Sequence, residues 1–373
     1  MFRRVFKAFH YRDFRILWIG ACTSTIGTWM QEVAQNWLVL SLTNSPFLLG
    51  LDQFLGDIPI FLFSLWGGVL ADRIDRRYIL IGSQVVQMIS AATLAILIWT
   101  GHIRKDTIWV VLTLSFVVGT AQAFGGPAYS ALVPSLVERE DVPNAIALNS
   151  LSFLAVIISL LRLHINFSPP RTGESVMTSM KQGFTFVRAQ GAMTTLILIA
   201  FLMTFLGIPT IASLPVFAKI VFGRGEMTYT WFLVASGLGS ITGALMVAWL
   251  GDVHNKGRIA LGALVAMGIG MVGFSQSKSI LLSCVMLYFT GAMMMCAFSM
   301  ISSLVQLITP NDMRGRVMSV YMMAFRGGMP FGEVATGRLV PIFTAPTVLT
   351  INGIALLSLG AYFLLVQRRV AEL

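Results

Sequence analysis

Residues 47–100 read FLLGLDQFLGDIPIFLFSLWGGVLADRIDRRYILIGSQVVQMISAATLAILIWT. Two apolar runs, 47–71 and 78–100, flank a turn that carries Asp72, Arg73, Asp75, Arg76 and Arg77. Crossing about 30 Å of hydrocarbon takes roughly 20 apolar residues as a helix. A helix is also the open-ended backbone that satisfies its own N–H and C=O groups in lipid. The stretch therefore predicts a helical hairpin across a bilayer, with its basic turn at one membrane face.

The rest of the 373 residues repeats this pattern. Hydrophobic residues make up 56%, charged residues 11%, and mean hydropathy is +0.80. A soluble domain carries about a quarter charged residues, so this chain cannot cover a water-facing surface. Apolar runs fall at 16–42, 47–71, 78–100, 107–133, 143–163, 192–221, 229–250, 259–275, 280–308, 317–343 and 348–366. The expected fold class is all-α integral membrane, with these eleven segments. The first run is too long for the apolar core of a signal peptide and no small-residue cleavage site follows it, so it is expected to stay as the first span.

The net charge of +10 invites a nucleic-acid partner, but the cations sit in short clusters between spans: Arg3, Arg4, Lys7, Arg12 and Arg15, then Arg73, Arg76 and Arg77, then Arg368 and Arg369. That is the bias of membrane topology; no nucleic acid is expected, and both termini are expected to be cytoplasmic. Cys22, Cys284 and Cys296 lie inside apolar runs, and the four histidines are scattered. Neither set makes a disulfide framework or a metal site, and no cofactor is expected. Phosphate-loop and nucleophile-elbow motifs are missing from the sequence, which argues against an ATP-driven pump or a hydrolase.

The longest polar stretch, 164–190, opens with Ser168, Pro169 and Pro170 and then places Val176, Met180, Phe184 and Val187 at helical spacing beside Lys181 and Arg188. It predicts an amphipathic helix at the membrane surface. The division expected is a bundle over 1–164, a cytoplasmic linker over 165–190 and a second bundle over 191–373. The two halves echo each other. PSLVEREDVPNAIAL and VQLITPNDMRGRVMS align with Leu136 on Leu307, Val137 on Ile308 and Asp141 on Asp312, while GGVLADRIDRR and AWLGDVHNKGR align Asp72 with Asp252. Repeated halves are the usual build of secondary transporters.

GGVLADRIDRR resembles the signature loop between the second and third helices of the major facilitator superfamily, through Gly68, Asp72, Arg73, Arg76 and Arg77, with Asp75 where the family usually has Gly. GGPAYSALVPSLVEREDVPNAIALNS and NDMRGRVMSVYMMAFRGGMPFG resemble the branch of enterobactin and multidrug exporters. The resemblance covers nearly the whole chain. It implies two pseudo-repeated six-helix bundles and a protein of the bacterial inner membrane.

The family has twelve spans and this sequence offers eleven. From Asp312 to Arg368 there are 56 residues, but from Asp141 to the matching Arg162 only 21. About 35 residues, one helix and its turn, are short, and the deficit falls on the fifth helix. If 143–163 crossed fully, Arg171, Lys181, Arg188, Lys256, Arg258, Arg314, Arg316, Arg368 and Arg369 would all face outward, against the positive-inside bias. The segment is therefore expected not to complete a crossing.

An Asp, Lys or Arg at a span centre costs about 2.5–3.5 kcal/mol on insertion scales, so those present stand out. Glu32, one turn from Gln35 on the first span, is either a substrate or proton group of the central cavity or a hydrogen-bonded packing carboxylate. Asp57 lies near the middle of the second span, with Asp52 nearer its outer end, where it can be solvated. Arg326 and Glu333 share one face of the tenth run, the eleventh helix by family reckoning, about 10 Å apart. Because the resemblance places the second helix opposite the eleventh, Asp57 or Asp52 is expected to partner Arg326, as a switchable or a static pair. Burial disfavours a carboxylate's charged form, as proton coupling needs. The resemblance makes Gly68, Asp72, Arg73, Arg76 and Arg77 a cytoplasmic latch; membrane anchoring alone is the other reading. Gly239/Gly243 and Gly328/Gly332 have the spacing of close helix contacts.

Together these residues point to proton-coupled export of a small hydrophobic or amphipathic compound, drug- or siderophore-like, by a multi-pass plasma-membrane antiporter. The protein is expected not to be an enzyme, with the substrate, protons and the bilayer as its partners, working as a monomer. The rival is a transport-inactive remnant or a binding and regulatory membrane protein.

Overall fold

The computed structural model describes residues 28–29, 31–132, 176–250, 255–310, 313–367 and 370–372. The short fifth segment, 143–163, and the join inferred there lie outside them. The described residues are almost entirely helical. Helix α1 covers 31–43, α2 Pro46–Arg73, α3 Arg76–Trp99 and α4 Ile108–Leu132, followed by α5 Val176–Ala189. Then come α6 Gly191–Gly207, α7 Glu226–Leu250, α8 Lys256–Gln276, α9 Ile280–Leu307, α10 Arg314–Phe343 and α11 Ala345–Leu365. Among them, eight stretches are long and apolar enough to cross a membrane. Helix α10 is not one of the eight. Its 30 residues reach about 45 Å, but Arg326, Glu333, Arg338 and several glycines dilute its apolar character.

The chain divides into two compact units, 1–42 with 55–173 and 43–54 with 174–373. In the first, α3 packs on α4. Ser83 Oγ donates to the Ala121 carbonyl at 2.7 Å and Gln87 Nε2 to Ser83 Oγ at 3.1 Å. Helix α2 meets α4 backbone to backbone, for neither Gly119 against the Gly56 carbonyl nor Gly67 against that of Ala123 leaves room for a Cβ. Helices in lipid gain little from the hydrophobic effect, so close contact through small residues holds them instead.

In the second unit α7 packs on α9, α8 on α9 and α11, and α6 on α10. Both glycine pairs expected from spacing sit at these seams. Gly239 and Gly243 abut the Tyr288 and Ala292 carbonyls, and Gly328 and Gly332 abut the Phe201 and Phe205 carbonyls. The core is built from Leu196, Leu264, Met267, Met271, Met300, Tyr321 and Leu356. Met293 and Met294 pack partly buried against that core, as filler.

The run 192–221 is not one continuous helix. Pro209 and Pro215 lack the amide a helix interior needs, and α6 breaks into short helices, Pro209–Ala212 and Leu214–Val216, then a wide π-turn, Phe217–Val221. Aromatic rings fill this end: Phe217 lies 4.5 Å from Phe274, and Phe232 lies 5.7 Å from Phe274.

Candidate functional site

Asp52 and Glu333 are the buried carboxylates among the described residues, at 3% and 7% exposure. Both belong to the second unit, where the first three turns of α2 lie on the C-terminal half of α10. The contact runs down one face of α2. Asn44 Oδ1 accepts from Lys219 Nζ at 2.7 Å, and the Arg338 guanidinium stands 5.8 Å from the Phe47 ring centroid. Further along, a Cβ on Gly50 would lie 2.7 Å from the Glu333 carbonyl oxygen, and the Phe54 and Phe331 rings meet edge-on at 6.2 Å. Residues 47, 50 and 54 recur at helical spacing, so a single stripe of α2 makes the seam, with the Asn44–Lys219 bond just before the helix. The solvated Asp52 expected from its place near a helix end is corrected here: its side chain is buried, and nothing in the local sequence of α2 announces that burial.

Along α10 the character of one face changes. Ser319, Met322 and Arg326 are exposed, Met329 is half-buried and Glu333 is buried. Spaced by three or four residues, they form one stripe that is open near Arg314 and sealed beneath α2 toward Phe343. A guanidinium exposed halfway along a membrane-length helix is costly against lipid; a water-filled recess removes that cost. Phe325 beside it stacks with Phe298, centroids 4.7 Å apart, so the wall is aromatic.

In the first unit, Gln35 on α1 donates from Nε2 to Ser115 Oγ on α4 at 2.8 Å, and Ser115 Oγ donates onward to the Val111 carbonyl. Gln35, a coupling candidate of the first span, is thus tied to α4. Glu32, one turn earlier, is exposed, and so is Trp29. Asp57 is half-buried and groups with the first unit, apart from the seam that holds Asp52 and Glu333.

The signature loop has two different acids. Helix α2 runs unbroken through Asp72 to Arg73, so Asp72 closes that helix and does not open the next. The acid at the start of α3 is Asp75, which caps it by accepting the Arg77 amide at 2.9 Å. The substitution of Asp for the usual Gly therefore supplies an N-cap. Gly68 and Arg73 lie in the last turns of α2, and Arg76 and Arg77 open α3.

The profile of the transmembrane secretion effector family matches residues 5–153 and 147–373. Macrolide efflux protein A of Streptococcus pyogenes is 23% identical over 294 residues, which span 69% of this chain and 71% of that protein. Enterobactin exporter EntS of Shigella boydii is 23% identical over 391 residues, 95% of this chain and 91% of its own. The solved structure of a D-xylose-proton symporter superposes with a TM-score of 0.67 at 14% identity, covering 90% of this chain and 97% of that one. At that identity the likeness shows the fold alone. With the profile matching nearly end to end, this multi-pass membrane chain belongs to the transmembrane secretion effector family and has the major facilitator fold.

Proposed function

We propose that the chain is a proton-coupled secondary exporter of a small hydrophobic or amphipathic compound, working by alternating access. The observation that carries this reading is the face of α10, open at Ser319 to Arg326 and closed over Glu333 by α2. Alternating access requires a path wetted from one side and shut at the other. The printed names of relatives that export a macrolide and enterobactin support an oily or amphipathic cargo.

In this reading Arg326, with the aromatic wall of Phe298 and Phe325, meets the polar part of the cargo. Glu333, joined by Asp52, is the carboxylate that passes between a sealed and a wetted state. Glu32 and Asp57 are further coupling candidates, and Gln35 holds α1 to α4. Gly68, Asp72, Arg73, Arg76 and Arg77 form the cytoplasmic latch. Bundles at 1–164 and 191–373 move about the linker at 165–190, and both termini are cytoplasmic.

The test is dye efflux from vesicles under an imposed pH gradient. Arg326→Gln and Glu333→Gln each lower gradient-driven efflux by roughly tenfold, the effect of about 1.4 kcal/mol on the rate-limiting barrier, and Asp72→Asn lowers it by less. One sequence feature favours a second reading, a transport-inactive remnant: the deficit of about 35 residues near the point where the two matched stretches meet, 147–153. Identical gradient-independent leakage from wild type and every variant would decide for the remnant.

A further inference from the structure

Helices α5, α6 and α10 line an open groove of about 480 Å³ within the second unit. Its walls are apolar, formed by Phe184, Phe201, Val320 and Ala324, and its charged members are Lys181 and Arg188. None of the residues lining it is acidic. Both cations are exposed, seven residues apart on one face of α5, with Phe184 between them at 45% exposure.

The position of the groove follows from how α5 is tied down. A Cβ on Gly183 would lie 2.9 Å from the Arg316 carbonyl oxygen, so α5 rests on the first turn of α10. At its other end Thr194 Oγ1 donates to the Val187 carbonyl at 2.8 Å, fixing α5 across the start of α6. Because α6 begins a membrane span at Gly191, Lys181 and Arg188 stand at headgroup depth. Val320 and Ala324, one and two turns further along α10 than Arg316, stand at the depth of the first acyl carbons.

We propose that this groove binds an anionic phospholipid, with the phosphate held between Lys181 and Arg188 and an acyl chain laid along Phe184, Phe201, Val320 and Ala324. Two cations without a carboxylate among the lining residues, above an apolar slot at an interface, complement an acidic headgroup carrying a hydrocarbon tail. A soluble anion would leave the slot unused, and a neutral lipid would leave the cations unused. The site does not depend on the export reading, since none of its lining residues takes part in that cycle and it is tested by binding alone.

The full-length protein in neutral detergent is titrated with short-chain phosphatidylglycerol, phosphatidylcholine or inorganic phosphate while its unfolding midpoint is followed. Phosphatidylglycerol is expected to raise the midpoint at concentrations where the other two do not. The double variant Lys181→Gln, Arg188→Gln shifts the half-maximal concentration upward by about 30-fold, from two cations each contributing roughly a factor of five near an anionic headgroup. Lys278→Gln, an exposed cation between α8 and α9, leaves the titration unchanged. Ala324→Phe fills the slot and weakens phosphatidylglycerol with both cations in place; Val320→Phe serves if that variant fails to fold. Equal responses to the two lipids, a response to phosphate alone, or equal loss on Lys278→Gln would each overturn the assignment. So would wild-type protein with no response, as expected if another part of the chain fills the slot.

Discussion

Asp72 and Asp252 lie 180 residues apart, and the same interval carries the first residue of α2, Pro46, onto that of α7, Glu226, and the first residue of α3, Arg76, onto that of α8, Lys256. The repeat extends to packing. Gly119 of α4 sits on the Gly56 carbonyl, and Gly291 of α9 sits on the Ser236 carbonyl, the position equivalent to Gly56. Where the copies part is in their first turns. Phe47, Gly50 and Phe54 of α2 face α10, whereas their counterparts Met227, Thr230 and Val234 in α7 are exposed. Duplication has kept the glycine seams that build a bundle, while one copy of the face above them has been taken up by a contact that closes over a buried carboxylate. By the same symmetry the first-half counterpart of α10 is the stretch that reads about 35 residues short.

The largest effect is expected where the copies differ. Gly50→Leu drives a side chain into the Glu333 carbonyl and the Gly337 Cα. Overpacking of this kind costs about 1–3 kcal/mol, enough to shift a sealed-to-open equilibrium by roughly five- to 150-fold. Gradient-driven efflux falls accordingly and passive leakage rises. Thr230→Leu, the same change at the same place in α7, leaves both unchanged because that face is open. Equal loss from the two variants would mean that the α2–α10 seam is ordinary packing.

Where the copies agree, the effects should agree. Gly119→Leu and Gly291→Leu each insert a side chain against a carbonyl one helix away, and each is expected to lower unfolding stability in detergent by about 1–3 kcal/mol. A large loss at one position and none at the other would show that the repeat is kept in sequence but not in load.

The hairpins, the repeat and the glycine seams were legible in the sequence because each is local: a run of apolar residues, a turn motif, a four-residue spacing. The stripe joining Arg326 to Glu333 was legible for the same reason, since helical periodicity alone places them on one face. The burial of Asp52 was not, because cover comes from residues distant in sequence; its own neighbours, Leu51 and Gln53, say nothing about it. Asp57 drew attention by sitting mid-helix, yet depth along a helix says little about which neighbour shields a side chain. The break in α6 was written in Pro209 and Pro215, but a mean over an apolar run hides two residues whose effect is on the backbone. Asp75 was legible as a departure from a motif; only the two-residue connection between α2 and α3 makes it a cap.

A smaller contrast lies at the seam where Tyr288 OH donates to Thr242 Oγ1 at 2.8 Å. The equivalents in the first half are Phe116 and Leu62, which have no such bond to make. Tyr288→Phe is expected to cost about 0.5–1 kcal/mol of unfolding stability. Thr242→Val costs the same, and the double variant no more than either, as a shared bond requires. Additive losses would mean that the two groups act separately and that the second bundle is not polar-latched where the first is apolar.

The smallest contrast is between two helix starts one repeat apart. Asp75 caps α3 through its side chain, while Asn255, the residue before α8, sits at φ +70° and makes no side-chain cap. The equivalent positions therefore start the following helix by different means, one with a hydrogen bond and the other with a left-handed backbone. Asp75→Ala removes an acceptor and is expected to cost about 1 kcal/mol, with faster hydrogen exchange at the Arg77 amide. Asn255→Ala costs a similar amount for another reason, the Cβ strain of a positive φ. Asn255→Gly removes that strain and is expected to be near neutral, with exchange in the first turn of α8 unchanged. Faster exchange at α8 in the Asn255→Gly variant would mean that the asparagine side chain caps that helix after all, and that the two starts are built alike.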